Sequence, residues 1–359
     1  MENKKIIIAG GTGFIGQALI DRWSSSNKLV ILTRSKKNAD NNAYQSNRKI
    51  LPGNKNIQFV HWDARSVDKR WLCEMENADL LINLSGKSVN CRYHIKQKQQ
   101  VYYSRIHSTE VLGKAIQQLN NPPKLWINAS SATIYKHSIE KANDEQSGEI
   151  SLAKKDNMPW NFIDALRTEK NKLLARRLHQ TGDELADPET DFSVKVVKDW
   201  EQVFFSQSTP GTRKVALRTA ITLGNGGVMV PYLNLCKAGL GGRHGSGKQM
   251  FSWVHINDFA GMIEWLFENN SEGIYNCVSP NAVSNKEFMK TLCNTIDRKF
   301  AIPSPAWLLE LGAFIIGTET ELMLKSRWVI PARALNEGFK FQYPYLENAI
   351  ADIVEGYKN

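Results

Sequence analysis

The chain has 359 residues, of which 42% are hydrophobic and 23% charged, a composition typical of a folded globular protein. Its five cysteines lack the spacing of a metal site or a disulfide framework, and its longest apolar run, residues 307–317, is too short to span a bilayer. The net charge of +10 is spread along the chain, which favours phosphorylated small molecules over nucleic acid as partners. We therefore expect a cytoplasmic protein with no metal, no membrane and no nucleic-acid partner.

The first predicted element is a strand that runs through a glycine turn into a helix. Residues 5–16 read K-I-I-I-A-G-G-T-G-F-I-G, and a helical apolar pattern follows. In such a turn Gly10 allows the sharp bend, Gly13 lets the backbone approach a pyrophosphate, and Gly16 lets the helix pack on the strand. This pattern predicts a dinucleotide site, and the alternative is a glycine turn used only for packing. We assign its contacts to Gly10, Gly11, Thr12, Gly13, Phe14, Ile15 and Gly16.

The G-x-x-G-x-x-G spacing of this turn resembles the extended and atypical short-chain dehydrogenase/reductases. The next predicted strand covers residues 29–33, ends at Thr33 and is followed by Arg34. At this end of the strand an NAD site places an acid against the ribose. No acid follows here, and Arg34 can pair with a 2′-phosphate. We therefore predict that NADP(H) is preferred over NAD(H), with Thr33 and Arg34 among the contacts. The alternative is that Arg34 is only a surface residue.

Two further strands are predicted before the first long helix. The strand predicted over residues 57–62 is followed by Asp63. In related folds an acid at this position meets the adenine amino group, although Asp63 could equally be a turn residue that caps the next segment. Residues 78–84 lead into N-L-S-G at 83–86, which matches the N-x-A-G element of the short-chain family. Small residues there let the backbone lie against the cofactor. We assign to the cofactor site Asp63, Leu84, Ser85 and Gly86.

A helix predicted over residues 102–119 carries Arg105, for which we expect a solvated face, with a phosphate contact as the alternative. The fifth predicted strand, residues 125–129, runs into S-S-A-T-I-Y. A serine at the carboxyl end of a parallel strand points into the ligand crevice. In the short-chain family the matching serine hydrogen-bonds the reacting oxygen, and Ser131 aligns best with it. The alternative is that these hydroxyls only satisfy turn backbone.

The short-chain family should next show Tyr-x-x-x-Lys, in which the lysine lowers the pKa of the catalytic tyrosine. The corresponding helix, predicted over residues 192–205, has Ser193 and Val197 at those two positions. Lys198 is one residue away, which turns it about 100° around the helix. The nearby substitutes for the missing acid–base pair are Tyr135, Lys198 and Glu145. Each has a plain alternative, as a wall residue, a solvated helix residue or a loop charge.

Three residues downstream are assigned to substrate binding. Arg218 lies in a sixth strand predicted over residues 214–223, on its crevice side. Lys248 lies in a glycine-rich loop that either closes over an anionic substrate or forms simple turns. His255 precedes a helix predicted over residues 259–267, which Asn257 or Asp258 is expected to cap. The alternative for His255 is a structural role.

A narrower resemblance covers nearly the whole chain. Besides the glycine turn and N-L-S-G, the shared pieces are S-A-T-I-Y at 131–135, D-W-E at 199–201, L-R-T at 217–219, G-S-G-K-Q-M-F-S-W-V-H-I-N-D at 245–258 and the stretch 303–341. Together they resemble the YfcH-like epimerase group of atypical short-chain dehydrogenase/reductases, with its DUF1731-type C-terminal domain and its typical loss of Tyr-x-x-x-Lys. The resemblance implies an α/β fold, a Rossmann-type doubly wound parallel sheet with a smaller C-terminal α/β substrate lobe.

For the domains, we expect an NADP-binding Rossmann domain over residues 1–270, with a basic helical insertion at about 150–190. A C-terminal substrate lobe is expected over residues 271–359, with contributions from about 239–255.

For function, the resemblance implies an NADP(H)-binding epimerase or oxidoreductase that acts on a small anionic or nucleotide-linked substrate. One alternative is a non-catalytic NADP(H)-binding regulatory protein that has lost the dyad. A second is a redox-neutral epimerase or dehydratase that keeps its cofactor bound. The substrate's identity and the oligomeric state stay open, with a homo-oligomer among the expected states.

Overall fold

The computed structural model describes residues 1–40, 54–91, 93–157, 185, 187, 189–298, 302, 303 and 325–358. Within these residues, a central sheet has seven strands, and every neighbouring pair is parallel. In chain order the strands are β1 Lys5–Ala9, β2 Lys28–Thr33, β3 Ile57–His61, β4 Leu80–Asn83, β5 Leu125–Ser131, β6 Arg213–Thr219 and, after three shorter strands, β10 Gly273–Cys277. Across the sheet they run β10-β6-β5-β4-β1-β2-β3, so the winding reverses between β1 and β4.

Helices cover both faces of the sheet. They are α1 Phe14–Trp23, α2 Lys36–Asp40, α3 Lys69–Met75, α4 Ile95–Ile116, α5 Phe192–Ser206, α6 Met229–Lys237, α7 Ile256–Glu268, α8 Asn285–Thr295, α9 Ala332–Asn336 and α10 Leu346–Lys358. Ile6 and Ile8 of β1 join the core under α1 and α7, whereas Ile7 joins the core under α3, α4 and α5. Successive strand residues point to opposite faces, so strands covered on both sides need continuous apolar runs. The predicted doubly wound parallel sheet is confirmed.

A second, smaller core packs beside the sheet. Its apolar side chains come from α6, α8 and α10, and from the short strands β7 Ile221–Leu223, β8 Met250–Phe251 and β9 Trp253–His255. β7 pairs in parallel with β9, and β8 pairs in antiparallel fashion with β11 Val283–Ser284. This core draws on the lobe expected over residues 271–359 and about 239–255, and also on β7 and α6, which precede both ranges.

The sixth strand predicted over residues 214–223 is two strands, because the chain leaves the sheet after Thr219. Both neighbours of β6 end at this point: Ser131 of β5 and Cys277 of β10 are the register partners of Thr219. The N–H of Ala220 donates to the carbonyl of Cys277 at 3.2 Å, and the following residues pair with β9 instead. β10, which the expected boundary at residue 270 assigns to the C-terminal lobe, is a strand of the central sheet.

Other expectations concern the long helix before β5, the insertion, membrane spans and metal sites. The helix predicted over residues 102–119 begins earlier, at Ile95, and ends at Ile116. Most of the helical insertion expected at about 150–190 lies outside the described residues. Within the described residues, no helix combines the length and apolar character needed to cross a membrane. A search of the same residues finds no cluster of three or more metal-binding side chains.

Candidate functional site

The carboxyl ends of β1 and β4 meet at the glycine turn. Gly10 has a φ of +81°, and a Cβ there would lie 2.8 Å from the carbonyl carbon of Leu84. A Cβ on Gly16 would lie 2.4 Å from the Cα of Gly11, so a larger residue would push α1 away from the turn. At Gly13 the nearest atom is the Gly10 carbonyl oxygen, 3.5 Å from the Cβ position, which leaves its backbone approachable. This geometry fits the roles that a dinucleotide turn requires.

Unsatisfied polar groups face this turn. Gly13 caps α1 without a side-chain oxygen, so the helix dipole and the first-turn N–H groups are available to phosphate oxygens. Beside it, the N–H of Ser85 donates to Asn83 Oδ1 at 3.0 Å, while the Ser85 hydroxyl is buried with no hydrogen-bond partner. A buried hydroxyl of this kind is costly unless a ligand oxygen satisfies it. The residues of this cradle therefore fit a dinucleotide cofactor.

The carboxyl end of β2 supplies the other predicted cofactor contacts. Thr33 Oγ1 accepts the N–H of Ser35 at 3.2 Å, and Arg34 is exposed. Asp63 accepts the N–H groups of Arg65 and Ser66 at 2.8 and 2.9 Å and the Ser66 hydroxyl at 2.7 Å. Slight burial acts against ionisation of this carboxyl, but these hydrogen bonds lower the pKa of Asp63. The turn role is thus present, and an adenine contact of Asp63 stays a prediction.

Two serines end β5, and they differ in what they contact. Ser130 is buried, and its hydroxyl donates to Glu201 Oε1. Ser131 is partly exposed, and its hydroxyl oxygen accepts the N–H of Thr133 at 3.2 Å and the Thr133 hydroxyl at 3.0 Å. Because both hydrogen bonds use the Ser131 oxygen as acceptor, its own hydrogen is available to a ligand.

A row of buried polar residues, which includes Ser130, crosses the sheet next to Ser131. Ser130, Arg218 and Asn276 are register partners on β5, β6 and β10. Arg218 Nε and Nη2 each donate to the Glu201 carboxylate at 2.8 Å, and its Nη1 donates to the Tyr135 hydroxyl at 2.8 Å. Tyr135 in turn donates to Asn276 Oδ1 at 2.9 Å. We call these five residues, Ser130, Tyr135, Glu201, Arg218 and Asn276, the polar row.

The polar row includes three residues that sequence reasoning missed as site residues, namely Ser130, Glu201 and Asn276. Glu201 belongs to the D-W-E motif, which the sequence analysis used only as evidence of family resemblance. Its signal was a carboxylate on the sheet-facing side of an apolar helix, at positions where Val194 and Val197 are buried. Such a carboxylate requires a cation inside the protein. Arg218, in a buried strand, is that cation.

The three acid–base candidates occupy different environments. Tyr135 is fully buried; burial raises the pKa of its phenol, and Arg218 opposes that rise. Lys198 is exposed on α5, on the side away from the sheet, as the one-residue offset implies. Glu145 accepts the N–H groups of Asn276 at 2.9 Å and Arg333 at 3.2 Å. Burial raises the pKa of Glu145, and these hydrogen bonds oppose it. Tyr135 and Glu145 thus hold hydrogen-bond partners within the protein, and the catalytic role of each of the three residues stays a prediction.

The predicted substrate residues are not brought together. Arg218 belongs to the polar row, where the charge and hydrogen bonds of Glu201 outweigh burial and raise its pKa. Lys248 is exposed, and its backbone N–H donates to Ser246 Oγ at 3.3 Å. Their roles toward substrate stay predictions.

His255 is buried at the start of α7 and caps it, because its Nδ1 accepts the N–H of Asn257 at 3.2 Å. The expectation that Asn257 or Asp258 caps this helix is wrong. The Asp258 carboxylate instead accepts the N–H groups of Gln342 and Tyr343 at 2.6 and 2.9 Å. The His255 Nε2 lies 3.2 Å from the Asp352 carboxylate, and burial, against the pull of that carboxylate, lowers the pKa of His255 to about 4.

Two sequence families match the chain. The NAD dependent epimerase/dehydratase family covers residues 6–159, and the domain of unknown function DUF1731 covers residues 304–353. The human epimerase family protein SDR39U1 is 28% identical over 358 residues, which are 98% of this chain and 99% of that protein. The Bacillus subtilis epimerase family protein YfhF is 28% identical over 351 residues, 97% of each chain.

Solved structures with the same fold include a protein of the same name as the human relative. The crystal structure of human SDR39U1 (isoform 2) with NADPH has a TM-score of 0.72 at 27% identity, over 98% of this chain and 99% of that chain. The Bordetella bronchiseptica enzyme WbmG, in complex with NAD, has a TM-score of 0.67 at 14% identity, over 99% of this chain and 94% of that chain. The second likeness speaks only for the fold.

Glu201→Gln tests the polar row. The substitution keeps the shape of the side chain but leaves the buried Arg218 without a counter-charge, which we expect to lower the free energy of unfolding by about 3–5 kcal/mol. Urea denaturation measures the loss. The matched control is Glu149→Gln, which breaks an exposed ion pair with Lys136 and should leave the denaturation midpoint almost unchanged. Equal, small losses in both variants would show that the Glu201–Arg218 pair does not hold the row together.

Proposed function

We propose that the chain is an NADP(H)-dependent oxidoreductase or epimerase-like enzyme of the epimerase-type short-chain dehydrogenase/reductase family that carries a DUF1731 domain, as its matches to two sequence families and to full-length relatives indicate. The observation that carries the proposal is the cradle between β1 and β4, with its open Gly13 backbone and its unpartnered Ser85 hydroxyl. The glycine turn and the start of α1 would hold the pyrophosphate of this cofactor, and Leu84, Ser85 and Gly86 would lie against the cofactor. When bound, the nicotinamide supplies or accepts a hydride.

The cofactor is NADP(H) in preference to NAD(H). Arg34 is exposed at the carboxyl end of β2, where an NAD-specific site would carry an acid. Its guanidinium offers a planar set of donors to a 2′-phosphate, and Lys36 adds positive charge two residues on. The human relative of known structure was solved with NADPH, whereas more distant relatives of this fold were solved with NAD. The preference therefore rests on Arg34.

Ser131 polarises the substrate oxygen. Its hydroxyl accepts two hydrogen bonds from Thr133, so its hydrogen is directed to whatever lies beyond the end of β5. A donor fixed in this way by its neighbours costs little reorganisation when negative charge develops on a bound oxygen. The polar row links β5, β6 and β10 beside Ser131, so Arg218 acts as a positioning residue, and its contact with the substrate stays a prediction.

The substrate is a small anionic or nucleotide-linked molecule. The net charge of +10 produces a field that attracts anions, and Arg243 and Lys248 are both exposed on the glycine-rich loop of the lobe. All five cysteines are free, as is common in a reducing compartment, and we place the protein in the cytoplasm. A homo-oligomeric state stays a prediction.

A non-catalytic NADP(H)-binding regulator is the rival function. It is favoured by the replacement of the family's Tyr and Lys by Ser193 and Val197, and by the full burial of Tyr135. Both functions require the same cofactor cradle, and they differ only in turnover.

Arg34→Ala tests the cofactor preference. Loss of a charge-assisted contact to the 2′-phosphate should weaken NADPH binding about tenfold or more and leave NADH binding unchanged. Fluorescence transfer from protein to nicotinamide measures both affinities. Lys28→Ala removes an exposed charge at the other end of the same strand, and we expect no effect on either cofactor. Unchanged NADPH affinity in Arg34→Ala would overturn the preference.

Turnover separates the enzyme from the regulator. We expect the wild-type protein to oxidise NADPH, or to interconvert substrate, with at least one member of a panel of α-dicarbonyl compounds and nucleotide sugars. Ser131→Ala should lower that kcat about a hundredfold, because a fixed donor to the developing charge is lost, while NADPH affinity is kept. NADPH absorbance and chromatography of the sugars follow the reaction. Tight NADPH binding with no turnover across the panel would favour the regulator.

A further inference from the structure

Arg105 is held against the edge of the cofactor cradle. Its Nη1 donates to the carbonyl oxygens of Val101 at 2.9 Å and Lys87 at 3.2 Å. Its guanidinium lies over Gly86, where a Cβ would be 3.2 Å from Cζ, and 5.3 Å from the centre of the Trp200 ring. The expectation of a solvated face for Arg105 is wrong, because the side chain folds back over the end of β4 and is partly buried there.

No carboxylate pairs with Arg105 within the described part of the chain, although other arginines have acidic partners. Arg218, for example, pairs with Glu201, and Arg22 pairs with Glu264. Burial is the main influence on Arg105 and lowers its pKa to about 10, so it is still protonated at neutral pH. A partly buried cation whose partners in the described residues are carbonyl oxygens and an aromatic ring is stabilised further by any anion that reaches it.

The free edge of the guanidinium is the one that recognises anions. The hydrogen bonds to carbonyl oxygens use Nη1, so Nε and Nη2 retain the paired donors that bind a carboxylate or phosphate through two oxygens. Nη2 lies 3.4 Å from the Cβ position of Gly86, next to Ser85, whose hydroxyl is buried without a partner. The cation of Arg105, which has no acidic partner among the described residues, therefore lies beside the Ser85 hydroxyl, which has no hydrogen-bond partner.

We propose that Arg105 is an anion-binding residue of the crevice, whose Nε–Nη2 edge binds a phosphate or carboxylate group of a ligand seated on Leu84–Gly86. This inference rests on the proposed function for the location of that ligand. The anionic group belongs either to the cofactor or to the substrate. Gly86 is glycine in part because a side chain would lie against the guanidinium.

Arg213 shows what a structural arginine looks like in the same sheet. It lies at the amino end of β6, far from the cradle along the strand, and its Nη1 and Nη2 donate to the carbonyls of Ser271 and Phe267. Both of its Nη groups are therefore used within the protein. Arg213→Met is the matched control for Arg105→Met, because each removes a guanidinium held by backbone carbonyls and keeps an unbranched apolar stem.

The experiment compares the full-length wild type, Arg105→Met, Arg105→Lys and Arg213→Met. NADPH affinity is measured by fluorescence transfer. Inorganic phosphate and UDP are then titrated against each protein, with and without saturating NADPH, and the rise in thermal midpoint is recorded. If the anion belongs to the cofactor, Arg105→Met weakens NADPH binding about tenfold or more and Arg213→Met does not. If it belongs to the substrate, NADPH affinity is kept and the stabilisation by phosphate or UDP is lost in Arg105→Met alone.

Arg105→Lys keeps the charge and loses the paired donors, so it should recover only part of the binding. The proposal is overturned if Arg105→Met matches wild type in NADPH affinity and in every anion titration, or if Arg213→Met shows the same losses. Failure of the wild type to bind NADPH would instead overturn the proposed function, and the titrations without cofactor would still decide the role of Arg105.

Discussion

The close contact between the backbone of Gly10 and the Leu84–Ser85 peptide is the constraint on which the site depends. The two segments approach so closely that a Cβ on Gly10 would overlap the peptide carbonyl. This approach fixes the distance between the loops that follow β1 and β4. The order of the parallel strands reverses between these two strands, and their carboxyl ends lie at the same edge of the sheet. The start of α1 and the Ser85 hydroxyl follow directly on the two segments that make this contact. A substitution that widened it would move each of them.

A second constraint lies one layer deeper, in the polar row. Resemblance to the short-chain dehydrogenase/reductases led us to expect a tyrosine and a lysine on the helix that packs beside β5, whereas this helix turns valines and Glu201 to the sheet. Glu201 needs a buried cation, and Arg218 meets the need from the neighbouring strand. The consequence is a rigid carboxyl edge in which Ser131 has a free hydrogen and Tyr135 is turned inward. The positions that match the expected tyrosine and lysine are Ser193 and Val197.

Local patterns predicted much of this structure. Strand runs such as I-I-I-A before the glycine turn and L-V-I-L-T before Arg34 gave the sheet, because strands buried on both faces need uninterrupted apolar residues. The glycine roles followed from backbone sterics alone. The split of the sixth strand could not be predicted, because it depends on where the neighbours β5 and β10 end. The Glu201–Arg218 pair spans 17 residues between a helix and a strand, and no local spacing announces it. Arg105 was misjudged for the same reason, since its neighbours Gly86 and Trp200 are distant in sequence.

The central claim is that the cradle formed by residues 10–16 and 83–86 seats the cofactor. Amide hydrogen exchange with and without saturating NADPH, resolved by peptide mass spectrometry, tests it most directly. The account predicts that NADPH slows exchange in peptides that cover these two segments and the end of β2 at Arg34. Peptides at the amino ends of the same strands, around residues 24–28 and 77–79, should be unchanged. Binding of NADPH with no protection in either cradle segment would contradict the account.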